Sequence, residues 1–534
     1  MGSQFVTADW IVFAGYIVLL AFTGWYFNRQ TTENTKDYFL GGNKMPVWLV
    51  AISVLATSQS AATFLGGPDQ GYRNDLSYLA TNIGAFIAAM VVAAYLIPKF
   101  YQHKVATVYE LLESRFGATA KKQAGFMYLF GRIFASGARL YMAAIAVAMI
   151  LFGNIEPSSV VLSTLVLVAV GLAYSVMGGI RTVIYSDVIQ CAVYVIAAIL
   201  VIYFLLTSIP ADLSQIWAVL DNPGQGQPSK LTLFNWDMDF SPSGVFNIWS
   251  AITGFVLLNI AAFGLDQDMT QRVLTCKNAK EGSKSMLLSV VLVIPVMLLF
   301  IVIGLLLYVF YQRPDLMQVD GVEQISQSFS GEKVTIFMYF VLNELPAGVK
   351  GLVTIGVIAA ALSTLNSGLN SMASVLVQDI YRPWKLQNDR HTNEMHFVTA
   401  GRLAMALVAV ALGSMAILCF YWQQYTDTPL LAFALSVMVF SYSGLLGVYF
   451  TVLFTKRGNQ KSVLLALVSG FLLTLMFQPY VMNSLFPASW QVNLGFTWQL
   501  CIGSFVSFLI CVAGNNLRNE QNTELQKDRE VTSA

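Results

Sequence analysis

The chain has 534 residues, 56% of them hydrophobic and only 11% Asp, Glu, Lys or Arg. Soluble domains carry ~25% charged residues, so this composition excludes a single water-soluble core. With a formal net charge of +1 and no basic stripe left unexplained, nucleic-acid binding is excluded as well.

A bilayer asks for roughly 20 apolar residues per helical span. Runs of that kind begin near residues 9, 46, 76, 124, 157, 180, 246, 283, 348, 396, 429, 461 and 494. Strands of a membrane barrel are about 10 residues long and alternate in polarity, whereas these runs are longer and continuous. The expectation is an all-α polytopic membrane protein with thirteen transmembrane helices. Its 30 Lys and Arg residues are sorted between the two faces. One face carries only Arg73, Lys230, Arg313, Lys333 and Lys350, and Arg132, Arg139 and Arg402 fall inside apolar runs. The rest lie near residues 29–44, 99–122, 181, 272–284, 382–390 and 456–461, and in the tail. Positive residues stay cytoplasmic, which puts the N-terminus outside and the C-terminus inside a cell membrane. The short loops and tail suggest a bacterial inner membrane.

Residues 1–515 read as one transmembrane domain and 516–534 as a polar cytoplasmic tail. No positively charged stretch precedes the first apolar run, so it reads as a retained span. Two longer external segments, about 209–245 and 313–347, interrupt the short connections; the first holds the turn signal Asp221-Asn222-Pro223-Gly224. The five cysteines form no CxxC pair and read as small core residues. Only three histidines occur, His103, His391 and His396, too few for a histidine metal site or a hydrolytic triad.

Function is then sought among polar residues placed where hydrocarbon penalises them. Thr57-Ser58-Gln59-Ser60, followed by Thr63, interrupts the run from residue 46. At 100° per residue, four consecutive polar side chains cannot share one face, so the helix either unwinds there or lines a wet cavity. The alternative is hydroxyls bonded back to the preceding turn of a regular helix. The run from residue 246 has a polar interruption of its own, and paired interrupted helices point to a transporter with inverted repeats. Farther along, Ser363, Asn366, Ser367 and Asn370 follow i, i+3, i+4, i+7, either a close-packing seam or hard oxygen ligands suited to Na⁺. Asp187 lies just inside the run from residue 180, open to a cation or to a helix-end arginine. Arg139 falls near mid-bilayer, where a planar guanidinium suits a carboxylate or a structural partner. Arg132, nearer the cytoplasm, reads as structural. Asn259 lies at a depth similar to Arg139, and Asp266-Gln267-Asp268 with Gln271-Arg272 marks the cytoplasmic exit.

Three motifs together, Met177-Gly178-Gly179-Ile180 with Asp187-Val188-Ile189-Gln190, Ala360 with Ser363-Thr364 and Leu369-Asn370-Ser371, and Asp379-Ile380-Tyr381, make residues 10–515 resemble the sodium:solute symporter family. That family includes bacterial proline, galactose and sialic acid symporters. The resemblance implies a LeuT-like 5+5 inverted repeat, about 46–208 and 246–455, with one extra helix before and two after. It implies a first Na⁺ site from the carbonyls of Ala56, Gln59 and Ala360 and the hydroxyls of Ser363 and Thr364, with Gln59 in place of an aliphatic residue. A second Na⁺ would use Asp187, Ser363, Asn366 and Ser367, with Asn366 in place of a serine. Ser60, Thr63 and Arg139 match residues that hold the carboxylate in sialic acid symporters. Ser58, Tyr78 and Asn82 lie at further contact positions with different side chains, and Asn259 matches a polar position common to the galactose and sialic acid symporters. Ala262 stands where galactose carriers have an inner-gate tyrosine.

The expectation is a Na⁺-coupled secondary active symporter, working as a monomer, that imports a small organic solute with a carboxylate, such as sialic acid. The alternative is a symporter of a sugar or other neutral solute in which Arg139 is structural. A sensor would carry a soluble output domain, for which the tail is too short. An intramembrane enzyme would need a nucleophile–base pair that is missing.

Overall fold

A computed structural model of the protein describes residues 5–28, 34–224, 226–318, 328–329, 332–333, 335–389, 391–423 and 430–515. Arg29, Arg390 and the tail from residue 516, all used in the charge sorting above, lie outside the described residues.

The regular structure of the described chain is helical apart from one hairpin of two two-residue strands, Ser328–Phe329 and Glu332–Lys333; residues 222–224 and 226–241 form an irregular connection. In chain order the main helices are α1 (Thr7–Asn28), α2 (Val47–Ser58), α3 (Ala61–Arg73), α4 (Ser77–Gln102), α5 (Ala118–Phe152), α6 (Pro157–Val176) and α7 (Gly179–Ser208). They continue as α8 (Ile248–Leu265), α9 (Gln267–Val273), α10 (Ala279–Gln312), α11 (Val349–Asn388), α12 (Glu394–Gln423), α13 (Leu430–Phe454), α14 (Gln460–Met476) and α15 (Phe496–Ala513). Among the described residues 11 helices are long and apolar enough to cross a membrane, or 12 if the bent pair Thr35–Asn43 with Val47–Ser58 makes one span; α14 is a shorter apolar helix. No membrane-spanning role for α14 follows from its length alone.

The interruptions fall at defined residues. α6 and α7 form one helical run with a reversal at Gly179, whose φ is 61°. A Cβ there would collide with the Tyr38 carbonyl, so only glycine permits both the left-handed backbone and the close approach. Between α2 and α3 the backbone is extended at Gln59 (φ −88°, ψ 112°) and Ser60 (φ −114°, ψ 177°). α8 is bent at Thr253 (φ −120°, ψ −85°) and parts from α9 at Asp266 (φ −90°, ψ 118°).

α11 lies at the centre: 94% of its most apolar window is buried, against 28% for α1. It packs along α6 and α7, and against α5, α12, α1 and α2. α3 packs on α10, where Gly304 lets the two backbones touch: a Cβ there would strike the Pro68 carbonyl. α13, α14 and α15 form a side cluster joined to α5 through α13 and α14. The outer helices show lipid-facing stripes, such as Leu403, Leu407, Val410 and Leu418 on α12, spaced as one helix face. The polar residues face inward, toward the breaks.

Candidate functional site

The break between α2 and α3 exposes backbone where a continuous helix would hide it. A helix end leaves its last four carbonyls without intrahelical amides. The Leu55 carbonyl is taken by Gln59 N (2.9 Å) and Ser58 Oγ (2.7 Å), which leaves Ala56 and the extended Gln59 to present oxygens. Ser60 begins the outer half: its Oγ accepts from Ala62 N at 3.2 Å, and its carbonyl accepts from Thr63 N and Phe64 N. The positive end of α3 therefore opens at Ser60 and Thr63.

Across from this break stands the polar face of α11. Ser363, Thr364, Asn366, Ser367 and Asn370 are all buried. Thr364 Oγ1 donates to the Ala360 carbonyl (3.2 Å) and Ser367 Oγ to the Ser363 carbonyl (2.7 Å). Ser363 Oγ donates to Asp187 Oδ1 at 2.7 Å. A hydroxyl whose proton is committed this way turns its lone pairs elsewhere, so Ser363 and Thr364 are acceptors toward their other neighbours. Asn366 Oδ1 and Gln59 Oε1 are buried without a protein partner.

Asp187 joins an ionic cluster that the loop reading of residues 266–272 missed. Arg272 is fully buried in α9 and is no loop residue. That removes it from the cytoplasmic charge count. It reaches Asp187 Oδ2 (3.1 Å) and Asp268 Oδ1 (3.2 Å), and its Nε donates to Ser53 Oγ (2.9 Å). Ser53 Oγ in turn donates to Asp187 Oδ2 at 2.5 Å. Arg132 of α5 pairs with Asp266 (2.8 Å) and with Asp268, and Tyr442 OH donates to Asp266 at 2.6 Å. Three carboxylates and two guanidiniums, all buried, tie α5, α7, α9 and α13 together and leave one negative charge over. The structural role expected of Arg132 is met. The helix-end arginine weighed as a partner for Asp187 is Arg272. One local signal existed: Asp268 and Arg272 stand at i, i+4, a helical pair spacing.

Beside the breaks lies a cavity of about 130 Å³ whose lining includes Ser58, Ser60, Thr63, Tyr78, Asn82, Arg139 and Asn259. All seven residues proposed from sequence to touch the solute are thus gathered in one place. Arg139 is 8% exposed; its Nη2 rests on Met438 Sδ (3.0 Å) and its Nη1 is buried without a partner. A guanidinium in that state is costly unless an anion completes it. Residues not singled out from sequence, among them Thr81, Phe255, Met269, Met297 and Met438, line the same space. The apolar ones gave no signal against the background of ordinary core, and a lone threonine such as Thr81 reads as a hydroxyl bonded back to its own helix.

Broken helices meeting at a buried polar cavity, with an oxygen-rich helix behind it, define a secondary transporter. A model of the sodium:solute symporter family matches residues 38–486. The chain is 27% identical over 468 residues to the sodium/sialic acid symporter SiaT of Proteus mirabilis, covering 88% of each chain. It is 28% identical over 497 residues to the sodium/glucose cotransporter of Vibrio parahaemolyticus, covering 90% of this chain and 87% of that one. A solved structure of a Na⁺-coupled sialic acid symporter in a substrate-bound outward-open state superposes with a TM-score of 0.76 at 23% identity, covering 95% of this chain and 97% of that one. The fold is therefore LeuT-like. The chain belongs to the sodium:solute symporter family: it is a multi-pass cell-membrane symporter, and Na⁺ is the ion it co-transports.

Proposed function

We propose that the solute imported with Na⁺ is a small organic molecule held by its carboxylate on Arg139, Ser60 and Thr63. Sialic acid is the carboxylated cargo named for relatives. The observation that carries this reading is the buried, unpartnered Nη1 of Arg139 in the cavity wall. The positive end of α3 at Ser60 adds to it. Ser58, Tyr78, Asn82 and Asn259 then surround the remainder of the solute.

The first Na⁺ would sit between the α2–α3 break and α11, on the carbonyls of Ala56, Gln59 and Ala360 and the hydroxyls of Ser363 and Thr364. The hydroxyl protons already point at Asp187 and the Ala360 carbonyl, which suits a cation ligand. A second Na⁺ would use Asp187, Ser363, Asn366 and Ser367. The surplus negative charge of the ionic cluster and the unpartnered Asn366 Oδ1 support it. Na⁺ at the first site holds the break in the geometry that presents Ser60 and Thr63, so solute and ion favour each other by linkage. We further propose thirteen spans with the N-terminus outside and the C-terminus inside. They would be arranged as repeats 46–208 and 246–455 in one domain, acting as a monomer in a bacterial inner membrane.

The test is uptake into proteoliposomes. A Na⁺ gradient should drive accumulation of the carboxylated solute, and replacing Na⁺ with K⁺ or choline should abolish it. Arg139→Ala separates the carboxylate reading from a neutral cargo, which the glucose-carrying relative keeps open. A carboxylate carrier loses most of its affinity, whereas a neutral-solute carrier with a structural Arg139 loses little.

A further inference from the structure

We propose that residues 234–240, between α7 and α8, lie along the surface of the bilayer, with Phe234, Trp236, Met238 and Phe240 set into the boundary between lipid headgroups and acyl chains. This placement does not depend on the cargo. The segment has no regular secondary structure, yet all four side chains are exposed, Trp236 by 66% and Met238 by 58%. Asn235, Asp237 and Asp239 fall between them. Successive side chains of an extended chain point to opposite faces, so an apolar row alternates with a polar one. Such a segment suits the bilayer boundary, which is apolar on one side and wet on the other.

The backbone is prepared for that boundary. Irregular chain near hydrocarbon is tolerated only where its polar groups find partners. The Asn235 carbonyl accepts from Ile248 N (2.9 Å) and the Trp236 carbonyl from Trp249 Nε1 (3.0 Å). The Asp239 carbonyl accepts from Asn247 Nδ2 (3.1 Å) and the Phe240 carbonyl from Gly495 N (2.6 Å). These donors belong to the first residues of α8 and to the capping residues of α8 and α15. The segment is therefore laid across the ends of two helices long and apolar enough to span. The Trp236 ring meets Trp249 of α8 with centroids 6.5 Å apart, and the Phe240 ring meets Trp498 of α15 at 4.7 Å. With exposed Trp490 in the connection leading into α15, four of the chain's ten tryptophans gather at or before these helix starts. Tryptophan, apolar in body with one polar N–H, concentrates at membrane interfaces. Farther along α15, exposed Ile502, Phe505 and Leu509 face lipid, so the row joins a helix whose outer surface already meets the bilayer.

The test uses the full chain in nanodiscs of phosphatidylethanolamine and phosphatidylglycerol. Trp236→Cys, Asp237→Cys, Met238→Cys and Asp239→Cys each receive a nitroxide label. Collisions with oxygen, which partitions into lipid, are compared with collisions with a water-soluble nickel chelate. Background labelling of the unsubstituted protein, four of whose five cysteines are buried, is subtracted. The oxygen-to-nickel ratio should be several-fold higher at 236 and 238 than at 237 and 239. High nickel access at all four positions would put the segment in water and overturn the proposal. Protection of 236 and 238 from both reagents would overturn it too, since a protein neighbour, such as a second copy of the chain, would then cover the row. In a second measurement, acyl-brominated lipid should quench a smaller share of tryptophan emission in Trp236→Phe than in the wild type. An unchanged share would count against the proposal.

Discussion

Arg272→Met probes the buried ionic cluster most sharply. The wild-type cluster sets Asp187, Asp266 and Asp268 against Arg132 and Arg272. Removing Arg272 leaves three carboxylates facing one guanidinium and strips the hydrogen bonds to Ser53 Oγ and the Asp268 carbonyl. Breaking a buried pair from one side costs about 3–5 kcal/mol. Asp187→Asn does the opposite: it leaves two carboxylates with two guanidiniums and should cost clearly less. Adding Asp187→Asn to Arg272→Met restores the wild-type excess of one carboxylate. The double variant should therefore recover part of the loss, with a coupling of about 0.5–3 kcal/mol. The assay is the fraction of protein remaining monodisperse after heating in detergent, run for the four proteins side by side. Losses that simply add, or an Asp187→Asn variant as crippled as Arg272→Met, would refute the charge argument.

Three further outcomes follow from single contacts. Asp9 on α1 accepts from the amides of Gly348 (2.7 Å) and Gly351 (2.8 Å) at the start of α11; Asp9→Ala should lower stability by about 0.5–2 kcal/mol, read as a lower melting temperature. Gln59→Leu removes a buried amide oxygen that has no partner and keeps the carbonyl, so Na⁺-dependent uptake should persist without loss of stability. Lys230, in the segment between α7 and α8, is buried, donates to the carbonyls of Tyr72 and Asn74 and lies over the Tyr308 ring. Burial pushes its ammonium down to about 8, whereas an unfolded lysine keeps its proton to about 10.4. The unfolded chain thus binds more protons between those values, so stability rises with pH across that window. Melting temperatures of wild type relative to Lys230→Met should climb from pH 7.5 to pH 10; a flat difference would count against the burial of the charge.

Much of the site is legible in the sequence because its signals are local. Five polar residues within seven positions of an apolar run announce the break at Gln59 and Ser60. The i, i+3, i+4, i+7 spacing of Ser363, Asn366, Ser367 and Asn370 announces a buried face on α11. Arg272 was not legible as buried. Its segment is charged and short, which reads as loop, and its burial depends on Asp187, 85 positions away. The partners of Arg132 are likewise more than 130 positions distant. Met269, Met297 and Met438 look like any core methionine until three-dimensional packing sets them around one cavity. The span count is blurred for a related reason: α14 has 17 residues, and α2 passes as a span only together with the bent Thr35–Asn43 segment before it, so length alone does not decide whether each crosses.

The central claim is that α2 and α11 together supply the oxygens that hold Na⁺. Its most direct test is the rise in melting temperature of the purified protein on exchanging K⁺ for Na⁺, in wild type and in Ser363→Ala/Thr364→Val. Ligand binding to the folded state raises stability with free ligand, so the wild type should melt higher in Na⁺ and the double variant should lose that increment while remaining folded. An undiminished Na⁺ increment without the two hydroxyls would contradict the account.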